Sequence, residues 1–229
     1  MGDIPDFDNA LDDRLKNISL TYRFDALQEE KKRYHQGQLK IIAGSFLSGA
    51  EVGQDEEYKI YSANYSLLDF WRLPFFNADT RLVYRAEAQY AGINLSGIMR
   101  FSLSGPTRAR AYSSGIFTAD DAVYLGFDWI FNSPGFFNLN ITKSINLKEF
   151  AKPFLFFDYA YGKQQPLAES ETNAKASLMD TGFGFKLSQG KSFSGNLLLA
   201  FPLKEKFVGI SSLPVIDSQR VVFDFQYSF

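Results

Sequence analysis

In nine separate stretches of this chain, apolar and polar side chains alternate at every second position. That pattern leaves room for little besides β-strands with two unlike faces. The clearest stretch is the last one. Val221, Phe223, Phe225, Tyr227 and Phe229 share one face, Arg220, Asp224, Gln226 and Ser228 share the other, and Val222 alone breaks the pattern. The same test marks segments at residues 17–25, 38–46, 61–67, 81–90, 123–132, 155–162, 179–188 and 193–201. The segment at 38–46 is the least regular, and it is where a strand could have been miscounted. The segments run to about ten residues, the length a tilted strand needs to cross a hydrocarbon core. Helical periodicity is poor throughout, and the best helical candidate, residues 25–34, is short and charged and reads as a turn.

Composition separates a membrane wall from a soluble sheet. Aromatic residues make up 17% of the 229 residues, led by 24 Phe and 12 Tyr, a level that fits a barrel with aromatic girdles. No apolar run approaches the roughly 20 residues of a membrane helix. Net charge is -2, so no basic field points to nucleic acid. Cysteine is absent, which excludes a disulfide framework and a thiolate metal site and suits an exported bacterial protein. The single histidine, His35, excludes His-based triads and multi-His metal sites; it follows Lys31-Lys32-Arg33 and is expected in a solvated turn. Asp120-Asp121 and Glu56-Glu57 read as solvated loop acids without a third ligand group. Gly182-Phe183-Gly184 is a glycine pair within a strand, with no helix following to make a phosphate loop. No catalytic constellation emerges, so neither an enzyme nor a cofactor nor a metal is expected.

The connections differ in length. Residues 189–191 form a very short link, whereas 91–121, 163–175 and 204–218 are long and polar. Outer-membrane barrels have short periplasmic turns and long outer loops, so the three long segments fall on the outer side. Residues 69–78 and 133–150 fall on the inner side and carry Phe70, Trp71, Phe75, Phe76, Phe136 and Phe137, as segments at a membrane–water boundary do. An odd strand count is awkward, because single-chain bacterial barrels have even counts. The start, Met1 to Asp8, is acidic and lacks the apolar core of an export signal. Both observations lead us to expect the C-terminal portion of a longer barrel. Alternation alone turns Asp128 and Asp158 inward, and Arg81, Arg85 and Glu87 form an inward stripe of mixed charge suited to a wet pore. The longest connection carries Arg108 and Arg110 at its tip and is far longer than the 2–5 residues of an ordinary hairpin. A lone buried charge is costly, whereas an arginine and a carboxylate form paired, charge-assisted hydrogen bonds.

Three runs carry a resemblance to a known family. They are Tyr84-Arg-Ala-Glu-Ala-Gln-Tyr90, Phe101-Ser-Leu-Ser-Gly-Pro-Thr-Arg-Ala-Arg-Ala-Tyr112, and Asp120-Asp121 with Leu125-Gly-Phe-Asp-Trp129. Together they resemble the C-terminal barrel of two-partner secretion transporters, the haemolysin- and adhesin-exporting outer-membrane proteins of the ShlB, FhaC and HecB type, related to BamA-like insertases. The likeness is clearest over residues 79–162. It implies a transmembrane barrel of roughly sixteen strands, of which this chain holds about the last nine. The family's periplasmic POTRA domains lie outside this chain, and residues 91–121 correspond to a loop that folds back into the lumen. The family's tip motif, Val-Arg-Gly-Tyr or Phe, reads here Ala109-Arg110-Ala111-Tyr112. Its partner motif, Phe-x-Asp-x-Gly, reads Phe156-Phe157-Asp158-Tyr159-Ala160, and Asp128 matches a second lumen acid. In both motifs alanine replaces glycine and tolerates fewer backbone conformations.

The resemblance implies a loop latch of Arg110, Tyr112, Asp128 and Asp158, acting either as a lever for conformational change or as a static clamp. It also implies that Phe229 ends a C-terminal signal read by the barrel assembly machinery. The expected function is export of a partner polypeptide through the lumen without nucleotide, in the bacterial outer membrane. The expected partners are outer-membrane lipid, the secreted polypeptide and the assembly machinery. A BamA- or TamA-like assembly factor and a small stand-alone barrel are the alternatives, with a soluble β-sandwich a remote fourth.

Overall fold

Aromatic and β-branched side chains at alternate positions favour extended backbone, and extended backbone dominates. The computed structural model describes residues 14–48, 55–73, 78–132, 138–142, 145–167, 172–190, 192–210 and 212–228. The first four strands are β1 (Arg14–Gln28), β2 (Arg33–Ser48), β3 (Glu57–Leu73) and β4 (Ala78–Tyr90). The two-residue strands β5 (Phe101–Ser102) and β6 (Thr118–Ala119) precede β7 (Asp121–Phe131). The short β8 (Asn140–Thr142) and β9 (Ile145–Asn146) lead into a one-turn helix, α1 (Leu147–Phe150). The chain then returns to β10 (Ala151–Gln164), β11 (Ala174–Gln189), β12 (Phe193–Val208) and β13 (Arg220–Tyr227).

Nine of these strands form one sheet in the order β1-β2-β3-β4-β7-β10-β11-β12-β13, every neighbour antiparallel. They are the nine that alternation marks. Each strand pairs with its predecessor in the meander, so the fold is all-β and of barrel type, with β1 and β13 as the sheet's two edges. β5 pairs with β6 and β8 with β9 as separate two-stranded ribbons.

The two faces differ as the alternation requires. On the outer face, Ile18, Leu20 and Tyr22 of β1, Leu125 of β7, Leu155 of β10 and Phe223, Phe225 and Tyr227 of β13 are exposed. An apolar face running the whole width of a sheet marks a surface that meets an apolar phase. Aromatics gather at the end where β11 turns into β12. Trp71 and Trp129 lie 6.2 Å apart, Trp129 and Phe131 4.8 Å, and Phe193 and Phe225 5.9 Å. The inner face is buried chiefly over β7 to β12, and a smaller cluster of Phe46, Tyr58 and Ile60 on β2 and β3 lies against Leu95. Over β7 to β12, Tyr124, Ile130, Phe154, Phe156, Leu178 and Leu198 pack against Leu103, Tyr112 and Phe117, which come from the segment between β4 and β7.

Several local expectations change. Residues 25–34 are mostly strand, because β1 and β2 pair all the way to Gln28 and Arg33 and leave a turn of only residues 29–32. Lys32 closes that turn at a left-handed φ of 52°, its N–H donating to the Glu29 carbonyl at 3.0 Å. Cross-strand pairing overrides the charge that suggested a turn. His35 accordingly sits in β2 and is half-buried, its Nδ1 2.7 Å from the Tyr65 hydroxyl. The irregular segment at 38–46 is a full strand, paired with β1 on one side and β3 on the other. Residues 69–73, Phe70 and Trp71 included, belong to β3. Phe75, Phe76, Phe136, Phe137 and the terminal Phe229 lie outside the described residues.

Candidate functional site

The connection between β4 and β7 does not project from the sheet; it folds over the inner face. Its base is held by the acid pair that composition placed in solvent. Asp120 is wholly buried, and its carboxylate accepts from the Leu95 N–H (2.9 Å), the Gln165 N–H (2.7 Å) and Arg100 Nε (3.1 Å). Asp121 accepts from the N–H groups of Ala91 (2.9 Å) and Gly92 (3.0 Å) and from the Gln165 side chain (2.7 Å). A carboxylate that collects amide donors recovers hydration it loses on burial, which an isolated acid pair in sequence does not reveal. Burial raises the Asp120 carboxyl above its ordinary range, opposed by the Gln165 and Leu95 amides and then by the Arg100 charge.

Beyond the base, the β5–β6 ribbon carries the chain inward to a tip at residues 104–113. Ala109 turns it, with φ at 37°, and the Tyr112 N–H closes the turn on the Ala109 carbonyl at 3.0 Å. The turn aims Arg110 at the sheet. Arg110 is 3% exposed. Its Nε donates to Asp158 Oδ2 at 2.7 Å, and its Nη2 donates to Asp158 Oδ1 at 3.0 Å and to Asp128 Oδ1 at 2.7 Å. The guanidinium also stacks 3.8 Å from the centre of the Phe156 ring. Burial opposes its charge, and Asp158, by charge and hydrogen bond, more than offsets that, so Arg110 holds its proton more tightly than a free arginine.

The sheet register brings the acceptors together. Asp128 faces Phe156 across the β7–β10 pair, and Asp158 faces Gly126. Asp128 also receives Arg85 Nη2 at 3.0 Å and Lys186 Nζ at 3.3 Å. The Tyr124 hydroxyl donates to Asp158 Oδ1 at 2.8 Å and lies 3.0 Å from the Thr107 carbonyl. Arg108 pairs with Glu87 and stacks 4.4 Å from the Phe101 ring centre. The Tyr112 hydroxyl lies 2.9 Å from the Met179 carbonyl and 3.1 Å from that of Lys204, while Arg220 donates to the Tyr112 carbonyl. Arg110, Asp128 and Asp158 therefore meet in one cluster, with Arg85 in it and Glu87 at its margin, while Tyr112 ties the same tip to β11 and β12. Arg81 stands apart, in a cavity of about 650 Å³ with Trp71, Arg72 and Lys152 at the β3–β4 turn end of the sheet.

Ala111 and Ala160, the two alanines singled out in the tip and strand motifs, have no left-handed backbone. Among the described residues only Lys32 and Ala109 have positive φ without being glycine. The space a glycine supplies lies instead at Gly126, where a Cβ would stand 2.2 Å from the Tyr124 hydroxyl and 3.1 Å from Asp158. Residue patterns missed Tyr124, Lys186 and Arg220. They also missed Asp180, whose carboxylate accepts the Ala111 N–H. Asp180 stands on the polar face of its strand, but only strand register sets it level with Asp158.

The fold and the site together define a barrel-type antiparallel sheet whose long loop is ion-paired to its inner face. No protein-family model and no curated protein sequence matches the chain. Among solved structures it is similar to CdiB from Acinetobacter baumannii, with a TM-score of 0.63 and 15% identity over 95% of this chain. The match covers 34% of that protein, so this chain spans about a third of its length. At this identity the likeness shows the fold.

Proposed function

We propose that this chain forms the barrel wall of an outer-membrane transporter of the two-partner secretion type, which passes a partner polypeptide through its lumen without nucleotide. CdiB is such a transporter, and its fold is shared. The observation that carries the reading is Arg110, buried against Asp128 and Asp158 at the tip of a loop that covers the inner face. In a transporter this loop occupies the path, and its ion pairs are the latch. Water admitted beside an exporting chain weakens charge pairs that are strong only while dry. The partner is a haemolysin- or adhesin-like polypeptide, and the wall performs no covalent chemistry and uses no cofactor.

The test is Arg110→Ala in the full-length protein, with the exported partner measured in the medium. Secretion is expected to fall at least tenfold while the barrel remains in the outer membrane with heat-modifiable mobility. Unchanged secretion removes the latch from the mechanism. Sequencing the native locus checks the wider reading. POTRA domains encoded in frame ahead of the chain and a large exoprotein gene beside it support export, whereas a signal peptide directly before Met1 with no such neighbour overturns it.

A further inference from the structure

Asp180 is a third wholly buried acid in the cluster, directly opposite Asp158 in the β10–β11 register. The other two acids have cations: Asp158 has Arg110, and Asp128 has Arg110, Arg85 and Lys186. Among the described residues no ion pair reaches Asp180. Its Oδ2 accepts the Ala111 N–H, and its Oδ1 is buried without a donor. A carboxylate anion placed there would face the Asp158 anion with no cation of its own, and an unpaired buried charge is strongly disfavoured. A neutral carboxyl group fits the same space differently. One oxygen keeps the Ala111 amide, and the other, carrying the proton, donates to Asp158. Asp180 then joins the donors that Asp158 already has, the Arg110 backbone N–H at 3.4 Å, Arg110 Nε and Nη2, and the Tyr124 hydroxyl.

We infer that Asp180 is a positioning residue of the loop tip and acts as an uncharged hydrogen-bonding group, holding the backbone of Ala111 with one oxygen and Asp158 with the other. The inference rests on the latch reading and deepens it. Arg110 supplies the charge that binds the loop to the wall, and Asp180 sets the depth and orientation of the tip. Asparagine at this position offers the same acceptor and the same donor without charge, whereas leucine offers neither.

Trypsin distinguishes these roles, because the bonds after Arg108 and Arg110 lie at the latched tip. Intact cells displaying the full-length protein are treated with trypsin, and cleavage within residues 108–111 is followed, with heat-modifiable mobility confirming the folded barrel. Native protein and Asp180→Asn are expected to resist equally. Asp180→Leu and Asp158→Ala are expected to be cut at least tenfold faster; if Asp180→Leu fails to insert, Asp180→Ala takes its place. Cleavage of Asp180→Asn as fast as Asp158→Ala would show that charge at Asp180 is required and overturns the inference. Resistance of the leucine or alanine variant at native level overturns the positioning role. Resistance of Asp158→Ala overturns the latch itself, separately from anything Asp180 does.

Discussion

At the scale of single residues, the cluster depends on the shape of a guanidinium. A planar fork reaches two carboxylates on adjacent strands at once, and a lysine ammonium is a point charge on a flexible stem. Arg110→Lys is therefore expected to behave like Arg110→Ala in secretion; near-native export by the lysine variant would show that charge alone holds the loop. Leaving Asp128 and Asp158 without Arg110 is expected to cost on the order of 3–5 kcal/mol, because buried carboxylates lose a partner. Urea unfolding of the barrel in lipid vesicles measures it. Gly126 tests the second support of Asp158. A methyl group there collides with the Tyr124 hydroxyl. Gly126→Ala is expected to cost about 1–3 kcal/mol as the ring is pushed off Asp158. The double variant Gly126→Ala/Tyr124→Phe should lose less than the sum of the two single changes; full additivity would mean the two residues do not meet.

At the scale of elements, the loop between β4 and β7 is held at its base as well as its tip. Asp120 joins Leu95 and Arg100 of the loop to Gln165 of the next connection, so two connections at the same end of the sheet share one anchor. Asp120→Ala leaves two backbone donors and Arg100 Nε without an acceptor, at about 1–3 kcal/mol for each buried group. The Leu95 and Gln165 amides are expected to exchange hydrogen faster in this variant, while exchange in β10 and β11 stays slow. Uniform acceleration across the sheet would contradict a local anchor. Burial raises the Asp120 carboxyl above its ordinary value of 3.8. The protonated form thus favours the fold, and this contribution is complete below the unfolded value and lost as pH rises through the folded one. Asp120→Asn, which is neutral throughout, should flatten that part of the pH dependence of the urea midpoint. The element scale also shows the limits of pattern reading. Residues 29–32 hold the whole β1–β2 turn because pairing continues through charged positions where composition ends the strand.

At the scale of the whole molecule, the apolar outer face and the aromatic cluster at one end are the features by which the proposed transporter would be oriented in a bilayer. The two tryptophans of the chain, Trp71 and Trp129, lie together in that cluster. In vesicles containing brominated lipids, their fluorescence is expected to be quenched most by bromine near the headgroups and least by bromine at the acyl-chain ends. The reverse order would place the cluster at mid-bilayer and remove the girdle. Among the described residues no further strand pairs with β1 or β13, and sheet edges of this kind are where further strands are recruited.

Alternation in the sequence determined the existence of nine two-faced strands and put Asp128, Asp158 and Asp180 on the polar faces of theirs. Those properties follow from a period of two, which every strand carries within itself. Alternation contains no information about height, so which inward residues stand level with one another is decided only when strands pair. The β10–β11 register sets Asp180 opposite Asp158, and the β7–β10 register puts Asp158 beside Gly126 and under Tyr124. Asp120 illustrates the same point from the other side. Its neighbours Leu95 and Gln165 lie far from it in sequence, and only the folded loop turns an acid that reads as solvated into a buried acceptor. Faces are a local property of the chain, whereas coincidence of side chains across strands belongs to the tertiary structure.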